Sequence, residues 1–165
     1  MFTVISDLES TDKSLFYKNL ANSLDILLGD ERDSIANMAN MASLLYFSLP
    51  NINWSGFYLY NGQELILGPF HGKPACVRIH MGKGVCGTSA STRTTLTVGD
   101  VHEFPGHIAC DPDSRSEIVI PLIQDRNIIG VLDIDSPMLE RFDEIDRAGL
   151  EQLTKILLLK TTFNQ

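Results

Sequence analysis

Asn53-Trp-Ser-Gly-Phe-Tyr-Leu-Tyr-Asn-Gly-Gln-Glu-Leu-Ile-Leu-Gly-Pro-Phe70 is the stretch on which the fold turns. Asn53–Asn61 reads as a strand, Asn61-Gly62 as a hairpin turn and Glu64–Phe70 as the returning strand. Alternation along the first strand puts Trp54, Gly56, Tyr58 and Tyr60 on one face, with Ser55, Phe57 and Leu59 on the other. The Trp/Gly/Tyr face is flat and gapped at Gly56. That shape suits a small apolar or sulfur-bearing group, or plain packing of a sheet on a helix.

Helical spacing brackets this hairpin. Lys13 to about Leu28 carries apolar residues at 16, 20, 24, 27 and 28, with Gly29 as the stop. A second helix is expected from about Arg32 to Ser48, with Ile35, Met38, Ala39, Ala42, Leu45 and Tyr46 facing inward. Short strands at Val77–His80 and Thr94–Val98 fit among glycines and prolines, and Met81–Ala90 opens a short helix. Glu117–Ile123 is nearly all apolar and is expected to be central; Asn127–Asp135 follows it through a turn at Asp125-Arg126-Asn127. A closing helix over Glu144–Thr162 has Asp143 as N-cap and Asp146 three residues on. The order predicts one α+β domain over residues 1–165, built on an antiparallel sheet. Its helical N-terminal segment covers about 12–48, the sheet with its loops about 51–136, and the C-terminal helix about 143–162.

Composition narrows the partners. Hydrophobic content of 44% and charged content of 21% are those of a folded domain, and the net charge of −8 disfavours nucleic acid and anionic membrane. The start lacks the basic and continuous apolar segments of a secretory signal, and no run is long enough to span a bilayer. The expected compartment is therefore cytoplasmic, where thiols are kept reduced.

Three cysteines, Cys76, Cys86 and Cys110, fall in loop-like stretches rich in Gly, Pro, His and Asp. An odd, sparse set is no disulfide framework, and thiol chemistry is the leading explanation. No C-x-x-C or HExxH pattern accompanies them, so no metal site is expected, and no G-x-S-x-G elbow marks a serine hydrolase. The loop from Asp100 to Ser116 holds His102, His107 and Cys110 and has the length of a functional loop. Asp111 and Asp113 beside Cys110 should raise its thiol pKa, with His107 and Arg115 the only cations near in sequence to oppose them.

Asp133 and Asp135 share a strand face with Ile129 and Val131, while Ile128, Leu132 and Ile134 take the other; Glu117 on the neighbouring strand could join the acids. The group reads either as a solvated strand end or as a pocket for an ammonium group or a proton-sharing carboxyl. Gly82–Gly87, at the head of the short helix, offers free amides to an anion but matches neither a P-loop nor a dinucleotide fingerprint.

The runs WSGFYLY (54–60), GPFHGKPACVRI (68–79), GKGVCGTSA (82–90), DVHEFPGHIACDPDSRSEIVIPL (100–122) and IIGVLDIDSP (128–137), in that order, resemble the free methionine-(R)-sulfoxide reductases. These are stand-alone GAF domains, and the similarity covers roughly Asn51 to Phe142. The resemblance implies a central antiparallel sheet with N- and C-terminal helices on one face, and a homodimer. It implies an L-methionine (R)-S-oxide reductase without a bound cofactor, drawing reducing equivalents from thioredoxin. Cys110 matches the family's nucleophile, Cys76 its resolving cysteine and Cys86 a third cysteine of less uniform role. Glu117, Asp133 and Asp135 match the acidic cluster that protonates the sulfoxide and captures the amino group, and Trp54 and Tyr58 match residues packing on the methylsulfinyl end. The amides of Gly84, Val85 and Cys86 could take the substrate carboxylate. A non-enzymatic GAF sensor of a small ligand is the alternative, and it would have no need of thiols.

Overall fold

The computed structural model describes residues 12–106 and 111–163. Its elements are α1 (Lys13–Leu28), α2 (Ser34–Ser48), β1 (Trp54–Tyr60), β2 (Glu64–Gly72), β3 (Arg78–His80), α3 (Gly84–Thr92), β4 (Leu96–Val98), β5 (Ser116–Gln124), β6 (Asn127–Ser136) and α4 (Glu144–Lys160), with a 3₁₀ turn at Val101–Glu103. The strands form one antiparallel sheet in the order β3-β2-β1-β6-β5-β4.

The hairpin forms as expected, although the turn chemistry is particular. Asn61 Oδ1 accepts from the backbone N–H groups of Gln63 and Glu64 at 3.0 and 2.9 Å, and Gly62 takes the positive φ of 96°. Further along, two residues of β2 oppose one of β1 between the Gly56–Phe70 and Tyr58–Leu67 pairs. Pro69, which has no N–H for a ladder, falls in that bulge.

Helices α1, α2 and α4 cover one face of the sheet through Phe16, Leu20, Met38, Leu45, Leu150 and Leu153, which meet Phe57, Ile118, Leu132 and Ile134. The other face carries a smaller apolar cluster of Trp54, Tyr58, Val119 and Val131 beneath Val85, Cys86 and Ala90 of α3. Between the two lies the plane of the sheet, so β1, β5 and β6 are covered on both sides.

Four expectations are corrected. Helix α2 starts at Ser34 rather than Arg32 because Asp33 is its N-cap and accepts from the Ala36 N–H at 2.9 Å. Its inward face holds Met41 and Asn37, whereas Ile35 is 67% exposed and Ala39 is exposed. Strand β5 is not central; β1 and β6 are, and β5 is flanked on its outer side only by the three-residue β4. Its long apolar run reflects cover on both faces. Finally, a bulge in β6 lets Ile128 pair with Ile123 while Gly130 pairs with Leu122. The extra residue turns Ile129 onto the helix-covered face and Ile128 onto the opposite one, reversing the alternation expected there.

The closing helix is fastened by one carboxylate. Asp146, fully buried, accepts from the Tyr17 hydroxyl at 2.7 Å, Lys13 Nζ at 2.6 Å and Arg141 Nη1 at 3.1 Å, and its Oδ2 also accepts from the Asp143 N–H at 2.9 Å. A capping box, a buried ion cluster and the α1–α4 contact thus share a side chain. Replacing it strands buried donors, so Asp146→Ala should cost on the order of 3–5 kcal/mol. Denaturant unfolding of the variant, with the slope unchanged and the midpoint lowered, checks this.

Candidate active site

Three strands bring the acids together. In one row across the sheet Trp54 of β1 pairs with Asp135 of β6, and Asp135 with Glu117 of β5. The next row runs Gly56, Asp133, Val119. The unbulged end of β6 keeps the expected alternation here, so Asp133 and Asp135 face the same side as Trp54 and Tyr58. Helix α3 closes over them and brings in Cys86. The resulting pocket is walled by Trp54, Tyr58, Gly84, Val85, Cys86, Glu117, Asp133 and Asp135, together with Lys73, Asp111 and Ser114 from two loops.

The electrostatics of this pocket are set by burial. Glu117 and Asp133 are each 6% exposed and Cys86 is 4% exposed. The Cys86 sulfur and one carboxylate oxygen each of Glu117 and Asp133 lie within 4.8 Å of one another. The Cys86 thiol donates to Glu117 Oε1 at 3.8 Å, and the closeness of the Glu117 and Asp133 carboxyls opposes ionisation of both. Desolvation raises the pKa of Asp133 to about 6. It pushes Glu117 well above the carboxylate range, assisted by the charges of Asp133 and Asp135. Asp135, partly buried, is raised by burial and then by the charges of Asp133 and Asp111, and the Cys86 thiol is driven up by burial and then by Asp133 and Glu117. Asp133 Oδ1 is buried and has no hydrogen-bond partner. A buried, unpaired carboxylate oxygen is costly unless a cationic or donor group meets it.

The aromatic wall differs from expectation in one respect. A Cβ on Gly56 would lie 2.3 Å from Phe70 Cβ and 2.6 Å from Trp54 Cη2. The gap is therefore filled by the indole, which stacks on Phe70 at 5.3 Å and on Tyr58 at 5.9 Å. Both polar tips are also committed. Trp54 Nε1 donates to the Lys73 carbonyl at 3.1 Å, and the Tyr58 hydroxyl donates to the Cys76 carbonyl at 3.0 Å. The two aromatics thus wall the pocket and hold the backbone of the loop carrying Cys76.

Opposite them, α3 opens at Lys83, whose side chain makes no cap, and Gly84 begins it at φ 60°. Gly87 permits close packing, since a Cβ there would lie 2.2 Å from the His80 carbonyl oxygen. The first-turn amides of Gly84, Val85 and Cys86 are left at the pocket wall, an arrangement suited to a carboxylate.

Cys76 is partly buried and disulfide-bonded, whereas Cys86 is a free, buried thiol. Cys110 and His107 lie outside the described residues. Lys73 enters the pocket without having been singled out in the sequence. Its Nζ pairs with Asp111 at 3.2 Å and Asp113 at 2.6 Å, so the acids after Cys110 are met by a cation from another loop. Arg115, the expected partner, instead reaches Asp100 at 3.4 Å. The backbone N–H of Asp113 and the Lys73 ammonium hold Asp111 below the usual carboxylate range. Asn53 and Ser114 were equally unmarked; Asn53 Nδ2 reaches Asp111 and Ser114 Oγ at 3.3 and 3.1 Å.

The chain is similar to known proteins over most of its length. Residues 17–157 match the GAF domain family. A free methionine-R-sulfoxide reductase of Escherichia coli (strain K12) is 49% identical over 92% of this chain and 93% of its own. An fRMsr structure from Staphylococcus aureus, in complex with substrate, is 53% identical with a TM-score of 0.84, covering 87% of this chain and 94% of that one. The free methionine-R-sulfoxide reductase structure from Neisseria meningitidis, also in complex with its substrate, is 42% identical with a TM-score of 0.88, covering 96% and 95%.

Burial makes the acid cluster a stability cost at neutral pH. A carboxyl whose pKa is raised in the fold keeps its proton there after the unfolded chain has released its own, so stability falls as pH rises from about 4 to about 6. Asp133→Asn should therefore melt higher than the wild type at pH 7.5, with the difference shrinking at pH 4. Thermal unfolding at the two pH values checks it.

Proposed function

We propose that this chain, which belongs to the GAF domain family and within it to the free methionine-R-sulfoxide reductases, reduces free L-methionine (R)-S-oxide to L-methionine. The observation that carries this reading is the buried cluster of Cys86, Glu117 and Asp133, with its orphaned carboxylate oxygen, beside the open amides of α3. Such a pocket offers negative charge to an ammonium group and N–H donors to a carboxylate, which together describe both charged ends of a free amino acid. Enclosing both ends excludes methionine within a peptide.

In this reading Cys110 is the nucleophile. Its sulfur attacks the sulfoxide sulfur while the sulfoxide oxygen takes up a proton; the substrate S–O bond then breaks as the oxygen passes to the Cys110 sulfur, leaving a sulfenic acid there and methionine with its thioether restored. Glu117 is the proton source, because burial and the charges of Asp133 and Asp135 favour its protonated form. Asp133 and Asp135 receive the substrate ammonium, and the amides of Gly84, Val85 and Cys86 receive its carboxylate. Trp54 and Tyr58 form the apolar wall for the methylsulfinyl end. Cys76 then condenses with the sulfenic acid to a disulfide, releasing water, and thioredoxin restores both thiols by exchange. The disulfide engagement of Cys76 supports that role. Cys86 is a wall rather than a nucleophile, since its burial among carboxylates disfavours the thiolate. The same reading assigns the whole activity to one domain that works in the cytoplasm as a homodimer. Exposed apolar side chains on the helices, Ile26 at 69% and Ile35 at 67%, support a partner surface there.

The deciding experiment is thioredoxin-coupled turnover of resolved R and S free sulfoxides and of a peptide sulfoxide. Only the free R form should turn over, and Cys110→Ser should abolish that turnover while ligand binding is kept. Glu117→Gln should lower kcat/KM by roughly 10²–10⁴. Full turnover in Cys110→Ser would sink the mechanism.

A further inference from the structure

Cys86 comes from α3, Glu117 from β5 and Asp133 from β6, so only the folded chain gathers them, and no spacing motif in the sequence marks the group. The three are poor in counter-charge. Lys73 gives its ammonium to Asp111 and Asp113, Arg115 reaches Asp100, and Lys83 at the pocket wall is exposed. Asp133 Oδ1, on a residue 6% exposed, has no hydrogen-bond partner, and an oxygen buried in this way calls for a cation or a donor to meet it. The thiol narrows which cation. Magnesium and calcium take oxygen ligands, whereas zinc takes thiolate together with carboxylate. The geometry also suits zinc: ligands at Zn–S about 2.3 Å and Zn–O about 2.1 Å stand roughly 3.4–3.6 Å apart in a tetrahedron. Cys86 Sγ and Glu117 Oε1, at 3.8 Å, are nearly at that separation, and Asp133 places an oxygen within 4.8 Å of both.

We propose that Cys86, Glu117 and Asp133 are a three-ligand site for a thiophilic divalent cation, Zn²⁺ by preference. Each residue gives one atom, and water takes the fourth tetrahedral position. The ion displaces the thiol proton, and any proton on the two carboxyls, to solvent; a metal–sulfur bond forms and no electron is transferred. Two of the three negative charges so produced are offset by the metal itself. Because the ligands belong to α3, β5 and β6, the ion ties the helix to the sheet and stabilises the folded chain over the unfolded one. There is a consequence for the pocket. Ion and substrate ammonium meet the same Asp133 carboxylate, so zinc excludes the free amino acid. That consequence rests on the reading under Proposed function; the metal site itself does not.

The oxidised protein suits the test, because Cys76 is held in a disulfide while Cys86 is free. Co²⁺, used as an optical stand-in, should give a sulfur-to-cobalt charge-transfer band that Zn²⁺ removes and excess Mg²⁺ leaves unmoved. Equilibrium dialysis should show a zinc ion whose binding Cys86→Ser weakens by more than about 100-fold, since even the groups behind a metal ligand are worth roughly 10–100-fold. Glu117→Gln and Asp133→Asn keep the thiol and should each weaken zinc by at least about tenfold, which checks the site should Cys86→Ser fail to fold. Zinc should also raise the melting temperature of the wild type and not that of Cys86→Ser. Absence of the cobalt–sulfur band would overturn the proposal, and so would zinc held as tightly by Glu117→Gln and Asp133→Asn as by the wild type. Free methionine S-oxide, added without reductant, should displace the ion. An ion that stays in its Cys86-dependent place would leave the metal site standing and contradict the ammonium place given to Asp133.

Discussion

Strand β6 is the member on which the arrangement depends. It pairs with β1 along one edge and β5 along the other, and side-chain alternation sends its two faces to opposite purposes. Leu132 and Ile134 enter the core beneath the helices, whereas Val131, Asp133 and Asp135 face α3. A slip of one residue would place carboxylates in the main core and leucine in the pocket. The register therefore fixes the stability of the fold and the chemistry of the site together.

The acids are tolerable because they are not independent. Each charged alone would be an uncompensated buried charge; held together they oppose one another's ionisation, and Glu117 also accepts from the Cys86 thiol. The pocket is left short of positive charge and holds one oxygen with nothing to bind. This is a configuration that a ligand ammonium relieves.

Much of this was legible in the residues. The Asn53–Phe70 hairpin, the alternation at Asp133 and Asp135, and the Asp143–Asp146 cap all rest on local periodicity or local hydrogen bonding, and these appear in the structure with nearly the expected bounds. What local pattern could not carry was non-local. The bulge that inverts Ile128 and Ile129 depends on how β5 and β6 pair, and the indole over Gly56 depends on Phe70 across the hairpin. The inward residues of α2 were misread because Asn37, though polar, is buried by donating to the Glu31 carbonyl and to Thr161 Oγ1. Lys73 escaped notice for the same reason, since its carboxylate partners lie far along the chain.

The Cys86 thiol has a practical bearing on bench work. Sealed under α3 and pressed by carboxylates, it ionises reluctantly and is screened from solvent, so alkylating reagents should pass it over in the native protein. A count of titratable sulfhydryls made without denaturant would then come out one short. Its sudden appearance during a chemical melt would date the lifting of α3 from the sheet, giving the molecule a built-in label for unfolding.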